Sequence, residues 1–249
     1  MLEILNKYPE ITLDEMKDVR LLNRTDTKYV TTTSRLRKFL LMAEGDYYVQ
    51  VTGGMRMQPY HTIYLDTPEQ SMYMAHHDGK KHRYKVRMRT YEVSGQSFLE
   101  VKDKNNHGRT KKKRIEIADL IYKGSEMLDF VNMKVPYDAT MLKPSIENYF
   151  RRVTLVNKAK TERLTIDTEL SFNNLRTHNE CSLGNKVVIE LKRDGLTESP
   201  ATAMLRKLRI QPCGFSKMAI GTALTSPELK QNNFKEKIHY VERMGGLKN

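Results

Sequence analysis

The sequence predicts an α+β fold built on a mainly antiparallel sheet. Three observations lead there. Candidate strands outnumber candidate helices along the 249 residues. The two do not alternate regularly, as a parallel sheet with crossover helices would require. Several strands alternate charged and apolar residues with a period of two, which gives a sheet two unlike faces. A chain of this length buries ~70–75% of its unfolded surface and needs no disulfide or metal staple. No repeat or low-complexity linker divides it. One domain over 1–249 is expected, with a core over about 12–225 and a polar, loosely docked tail over 226–249.

The elements follow in order. Residues 12–22 read as a short helix, with Thr12 as cap and Glu15 completing a capping box. Residues 24–31 alternate and contain Tyr, Val and Thr, which suggests a strand. Ser34 is placed to cap a helix over about 35–44 that ends at Gly45. Strands are expected over 60–66, 81–91, 97–103, 112–117, 163–169 and 186–193. Helical patterns fall at 118–131, 137–149 and 215–225. Another opens at Ser199-Pro200, an N-cap followed by Pro at the first helical position, and runs to Arg209.

Charge is unevenly placed. The net charge is +13, and residues 80–114 hold 13 Lys/Arg against three acids, a local +10. A clustered excess implies a polyanionic partner: phosphate chains, nucleic acid or an anionic membrane surface. On a strand, Lys81, Arg83, Lys85, Arg87 and Arg89 share one face, and His82, Tyr84, Val86 and Met88 the other. Arg24, Asp26 and Lys28 share a face, as do Glu100 and Lys102. So do Arg163, Thr165, Asp167 and Glu169, and likewise Glu190 and Lys192. A half-exposed sheet produces such alternation. A sheet closed into a barrel also produces it, with charged faces turned into a lumen and apolar faces packed outward on helices. An ordinary wet face carries more Thr, Ser and Gln, which weighs towards the barrel. Like charges crowded in a lumen repel unless an anion fills it. The barrel reading therefore expects a polyphosphate-like ligand, with Glu100, Glu190, Asp167 and Glu169 offering hard oxygen donors to Mg²⁺ or Mn²⁺.

Other classes recede. The longest apolar run, near Phe39–Ala43, is far too short to cross a bilayer. The first residues lack the basic and apolar regions of a signal peptide. Cys181 and Cys213 form no CxxC pair, which suits a reducing compartment and argues against structural zinc. His76-His77 and His82 belong to no HExxH motif and are read as loop or surface residues. Gly53-Gly54 and Gly245-Gly246 read as turns, and Asp66 as a turn cap at a strand end. Few aromatics interleave the bases and Trp is absent, which disfavours a single-strand stacking platform. Lys111–Arg114 is either a surface basic patch or a strand feeding one alternate pair into the lumen.

The strands also match a known pattern. The stretches are Arg24-Thr-Asp-Thr-Lys-Tyr29, Ile63-Tyr-Leu-Asp-Thr67, Arg83 to Tyr91, Phe98-Leu-Glu-Val-Lys102, Lys111-Lys-Lys-Arg114, Tyr149-Phe-Arg151, Arg163-Leu-Thr-Ile-Asp167, Val188-Ile-Glu-Leu-Lys192 and Phe215-Ser-Lys217. In this order they resemble the polyphosphate polymerase (VTC) domain of the CYTH / triphosphate tunnel metalloenzyme superfamily. The resemblance implies an antiparallel β-barrel tunnel with flanking helices. It implies an ATP-dependent polyphosphate polymerase that uses Mn²⁺ or Mg²⁺, with a tunnel triphosphatase and a non-catalytic polyanion binder as alternatives. Lys28, Arg87, Arg89, Lys102, Arg151, Arg163, Lys192 and Lys217 would be the catalytic bases. Arg24, Arg83, Lys85, Arg152 and Ser216 would bind substrate, and Glu190 and Glu100 the metal. Arg151 and Arg152 both lie close enough to their motif to be the tunnel arginine. Met218 stands where the family's Ser-Lys-Tyr element has Tyr. ATP and polyphosphate are the implied partners, and no nucleic acid is expected. The chain resembles a stand-alone soluble, bacterial-type cytoplasmic member, without membrane insertion but compatible with a membrane-protein partner.

Overall fold

The computed structural model describes residues 1–19, 24–107, 109–195 and 198–243, and nothing of the side chains of Asp18 and Arg24. Among the described residues the strands are β1 (Glu10–Ile11), β2 (Arg24–Thr32), β3 (Tyr47–Gln50), β4 (Gln58–Asp66), β5 (Arg83–Tyr91), β6 (Gln96–Lys104), β7 (Thr110–Ile117), β8 (Lys143–Asn157), β9 (Glu162–Asn174), β10 (Glu180–Ser182) and β11 (Lys186–Asp194). The helices are α1 (Leu2–Leu5), α2 (Thr33–Ala43), α3 (Ser71–His77), α4 (Ser125–Asn132), α5 (Pro200–Lys207), α6 (Lys217–Thr225) and α7 (Lys235–Arg243).

All strands join one sheet in the order β2-β11-β9-β8-β4-β5-β6-β7, with β3 and β10 attached to β8 and β9, and β1 to β3. The β1–β3 pairing is parallel. The others are antiparallel. The sheet curls so that its inner face encloses a cavity lined from β2, β4 to β9 and β11. Among the described residues β2 and β7 end the path without pairing to each other, so the tunnel wall is not strictly closed.

The alternation sorts the two faces. Tyr29, Leu155, Leu164, Ile166, Ile189 and Leu191 point outward and pack on Leu36, Phe39 and Leu40 of α2 and Leu205 of α5. Val86, Met88, Leu99 and Val101 pack outward with Met72 and Tyr73 of α3 and Phe130 of α4. Each such Leu, Ile or Phe, fully buried, contributes about 1.5–3 kcal/mol. This hydrophobic gain turns the charged positions inward, because the same strand cannot bury both faces in oil.

α6 shares this core with strand residues: Met218, Ala219, Ile220 and Ala223 belong to one cluster with Val30, Phe150, Leu170 and Phe172. A Cβ on Gly221 would stand 2.4 Å from Phe172 Cδ1, so only glycine allows this approach. Met218, 2% exposed, is a core residue rather than a lumen contact.

Several elements differ from expectation. The 12–22 helix is a 3₁₀ turn over Glu15–Asp18, and Arg20, Leu21 and Leu22 lie outside the described residues. Its capping box forms: Thr12 N donates to Glu15 Oε2 at 2.7 Å and Glu15 N to Thr12 Oγ1 at 3.3 Å. The cap of α2 is Thr32, not Ser34. The helix expected at 118–131 is only Ser125–Asn132. The one expected at 137–149 is a 3₁₀ turn, Ala139–Met141, followed by β8. Leu142, Ile146 and Phe150 recur every four residues, a spacing that suits a helix and also a period of two. Pairing on both sides, with β4 and β9, decides for strand. Over its described residues, 226–243, the tail is docked rather than loose: Phe234, Ile238 and Val241 are buried. Gly53 and Gly54 form a turn with φ of 54° and 73°, and Gly245-Gly246 falls outside the described residues.

Candidate functional site

The curled sheet encloses a cavity of about 1690 Å³, lined by 16 Lys/Arg and only three carboxylates, Asp26, Asp167 and Glu190. Two populations of cation can be told apart. The first is locked in ion pairs. Arg152 grips Asp167 through two bonds, Nε to Oδ1 at 2.6 Å and NH2 to Oδ2 at 2.8 Å, and Lys217 pairs with the same carboxylate. Arg87 donates to Glu100 Oε2 at 2.7 Å, and Lys112 to Glu100 Oε1 at 3.1 Å. Lys192 pairs with Glu190 and lies 4.0 Å from Asp26.

The second population makes no salt bridge among the described residues. Arg89 donates from Nε to Thr62 Oγ1 at 3.0 Å. Lys85 Nζ donates to Ser216 Oγ at 2.8 Å, and Lys28 Nζ to the Phe215 carbonyl at 2.9 Å. Lys102 lies opposite Lys85 and Lys112 in the strand register. Burial, then Lys28, Arg83 and Arg87, push the Lys85 amine far below its usual range. Arg87 first, then burial and Arg89, do the same to Lys102. These groups carry charge at a cost that a bound anion would remove.

Aromatic rings floor the lumen. Tyr60 and Phe150 stack with centroids 5.1 Å apart. The Arg89 guanidinium lies 5.5 Å from the Tyr60 centroid, that of Arg152 5.0 Å, and Lys217 Nζ is 4.4 Å from Phe150. Negative ring faces hold these cations without consuming their hydrogen-bond capacity. Ser216 caps α6, accepting from Ala219 N at 3.2 Å, and so places Lys217 at the first helical position facing Asp167.

The carboxylates stay ionised. Burial works upward on Asp167, but Arg152 and Lys217 outweigh it and hold it well below the usual range. Burial is outweighed likewise at Glu190 by Lys28 and Lys192, and at Glu100 by Arg87, Arg89 and Lys112. Lys217 is drawn down from 10.5 to about 8, first by burial, with Arg152 adding and Asp167 opposing. The sign follows. Above that value the folded state has released a proton that the unfolded chain keeps up to its higher pKa, so folding stability rises with pH in this window. Anion binding needs the ammonium and moves the other way. Raising pH from 7 to 9.5 is expected to weaken inorganic tripolyphosphate binding several-fold while raising the Tm of free protein, checked by calorimetry and thermal melts. A parallel fall in both would refute the assignment.

The donor set fits a divalent ion held largely by phosphate. Among the described residues no three His, Cys, Asp or Glu side chains cluster as a metal site. Glu190 lines the cavity with its carboxylate 25% exposed. One or two carboxylates plus substrate phosphates and water suffice for Mg²⁺.

The cavity wall includes Lys28, Arg87, Arg89, Lys102, Arg163, Lys192 and Lys217, with Arg83, Lys85, Arg152 and Ser216. Arg83 sits at the end of β5 and donates to the Lys80 carbonyl at 2.7 Å. Arg24 starts β2, but its side chain lies outside the described residues. Arg152, not Arg151, points inward. Arg151 is 54% exposed and bonds Glu169 at 3.2 Å on the outside. A register shift in the β8–β9 pairing at Tyr149/Arg151, with Glu169 at φ 54°, breaks the alternation that placed Glu169 beside Asp167. Glu100 is fully buried, with both oxygens taken by Arg87 and Lys112, and so is a counter-ion rather than an open metal ligand. Lys81 precedes β5 and is exposed. Lys112 and Arg114 line the cavity, and Lys111 and Lys113 are exposed outside it.

His76 and His77 sit on α3, not in a loop, and His77 is 4% exposed. Asp66 caps that helix, accepting from Met72 N and Tyr73 N at 2.9 Å. Sequence reasoning missed Tyr60, Tyr64 and Phe150. Strand parity carried the signal: Tyr60 and Tyr64 share the face of Gln58, and Phe150 that of Arg152.

Fold and site together define a β-tunnel protein with a cationic lumen. The chain belongs to the VTC domain family, whose model matches residues 23–226. No curated protein matches the sequence. Solved structures similar to it include an adenylate cyclase-like protein from Vibrio parahaemolyticus (12% identity, 81% of this chain and 98% of that one, TM-score 0.49). Another, from Bacillus halodurans, has 15% identity, covers 78% and 96%, and has a TM-score of 0.45. A third, from Hippeastrum, is described as an adenylyl cyclase with a dominant triphosphatase activity (15% identity, 80% and 94%, TM-score 0.48). The family points to an enzyme of phosphoryl chemistry.

Proposed function

We propose that the protein is an ATP-dependent, divalent-metal-dependent polyphosphate polymerase that works in the cytoplasm. The observation that supports this best is the second population of lumen cations. Lys28, Lys85, Arg89 and Lys102 line one cavity without salt bridges among the described residues, and several phosphate groups in series would satisfy them. The VTC family match favours a chain-extending reaction over hydrolysis.

Phosphoryl transfer asks a protein for positioning and charge neutralisation more than for a nucleophile. A terminal oxygen of the growing chain would attack the γ-phosphorus of ATP, the bond to the β–γ bridging oxygen would break, and ADP would leave with that electron pair. Arg152, fixed by its two bonds to Asp167, offers its remaining N–H groups to one phosphate position. Lys85 and Lys102 act as movable point charges along the chain. Glu190, with phosphate oxygens, would hold the metal ion, whose charge offsets the repulsion between the two anionic reactants.

The test is to incubate pure protein with ATP and Mn²⁺ and resolve the product on a gel. A polymer ladder is expected. Orthophosphate without a ladder would make the chain a tunnel triphosphatase instead. Binding with steep salt dependence and no metal-dependent turnover would make it a binder. Glu190→Gln is expected to lower turnover by about 10²-fold and to remove the response to Mn²⁺, with some fall in Tm because Lys192 keeps only Asp26, 4.0 Å away. No helix among the described residues is long and apolar enough to cross a membrane.

A further inference from the structure

The family match stops at residue 226, but the cavity wall continues past it: Phe234 and Lys237 are both lining residues. Specific ties bring the chain there. The Tyr73 hydroxyl donates to the Lys230 carbonyl at 2.9 Å, and Asn233 Nδ2 to the His77 carbonyl at 2.9 Å. His77 Nε2 and Asn232 Oδ1 lie 2.8 Å apart. Phe234, 3% exposed, sets its ring edge-on to Tyr73, His76 and His77.

These ties fix how α7 lies. Phe234, Ile238 and Val241 recur at i, i+4 and i+7 and form its buried stripe. Lys237, three residues after Phe234, falls on the edge of that stripe. Its Nζ is 5.8 Å from the Phe234 centroid and 4.0 Å from where a Cβ on Gly214 would stand. That is two residues before Ser216, the partner of Lys85. Lys237 makes no salt bridge among the described residues. The buried Nδ1 of His76, another lining residue, has no hydrogen-bond partner there. Burial, then Lys85, Arg83 and Lys237, hold the His76 pKa down to about 2, so its ring stays neutral with one N–H to give. Arg83 and Lys104, paired at the ends of β5 and β6, line the same cavity.

We propose that the segment 228–243 completes one mouth of the tunnel and that Lys237 is an anion-binding residue of that mouth, taking a phosphate oxygen of a polyphosphate chain. This rests on the phosphate reading of the lumen. The segment lies beyond the residues that the family model matches.

The experiment titrates long-chain inorganic polyphosphate into wild type, Lys237→Met, Lys237→Arg, Lys235→Met and Arg89→Ala at several salt concentrations. Met keeps the aliphatic stem over Gly214 and Phe234, and Lys237→Gln serves as a second variant if Met perturbs folding in a thermal melt. Lys237→Met is expected to bind about 10-fold more weakly, as for the loss of one charge-assisted bond. Its log K against log salt slope should be shallower by roughly 0.7, which a purely structural change would not produce. Lys237→Arg should restore both, and Lys235→Met, on the exposed side of the helix, should match wild type. Wild-type binding by Lys237→Met, with Arg89→Ala weakened, would overturn the mouth assignment and leave the lumen reading standing. Wild-type binding by both would overturn the two together.

Discussion

Arg89→Ala is expected to lower turnover by about 10²–10³-fold, the effect of removing one preorganised charge from a reacting site, while the free protein keeps its fold and a nearly unchanged Tm. Arg89 is 4% exposed, bonds Thr62, lies over Tyr60 and Phe150, and makes no salt bridge among the described residues. Its pKa is drawn down to about 10, first by burial and then by Arg87 and Arg152. Without a counter-anion this cation therefore costs free energy. Truncation removes ring contacts worth about 0.5–2 kcal/mol and also relieves repulsion, so the two effects offset. With phosphate bound the balance reverses, because the guanidinium then meets its counter-charge. Turnover on ATP with Mn²⁺, read beside a thermal melt, checks both halves. Lys102→Ala should behave alike. Full activity in both variants would mean that this face does not meet the substrate.

Asp167→Asn is expected to do the opposite and act on folding first. Asp167 is 4% exposed and is the shared counter-ion of Arg152 and Lys217. Replacing its charge strands two buried cations, which costs about 3–5 kcal/mol. For a chain of this size that corresponds to a fall in Tm of about 6–20 °C. Inorganic tripolyphosphate should recover part of the loss, since a bound anion stabilises only the folded state. A melt of the variant with and without tripolyphosphate decides it. An unchanged Tm would show that the lumen is wet enough to screen the pair.

Arg89 and Asp167 mark the two roles in the lumen, and only one of them was legible in the sequence. Strand alternation identified which residues of 83–89 turn inward, because burying Val86 and Met88 leaves Arg87 and Arg89 no other side. The charge count at residues 80–114 pointed to a polyanion for the same reason. Which cations are paired and which are free could not be read. Asp167 and Arg152 lie on neighbouring strands and Lys217 on a helix, and their meeting depends on register and on α6 sharing a core with the sheet.

The failures have equally local causes. Glu169 is placed by parity, and one register shift in the β8–β9 pairing undoes parity there; Arg151 is placed by its motif, which does not separate it from Arg152. Glu100 obeys parity, but two basic neighbours in the ladder, Arg87 and Arg114, and Lys112 beyond, turn an inward carboxylate into a counter-ion. The 137–149 segment had an apolar spacing of four, which no local rule assigns uniquely.

By itself, then, the sequence determined the strand faces, the caps at Thr12 and Ser199, the polycationic character of the lumen and the resemblance to the VTC domain. Each follows from residues close together in the chain. The tertiary structure alone decided the divided roles of the lumen cations, the aromatic floor of Tyr60 and Phe150, and the place of α7 at the mouth. Those arise where segments far apart in sequence meet, and the pairing of strands, not the propensity of any one of them, sets what meets what.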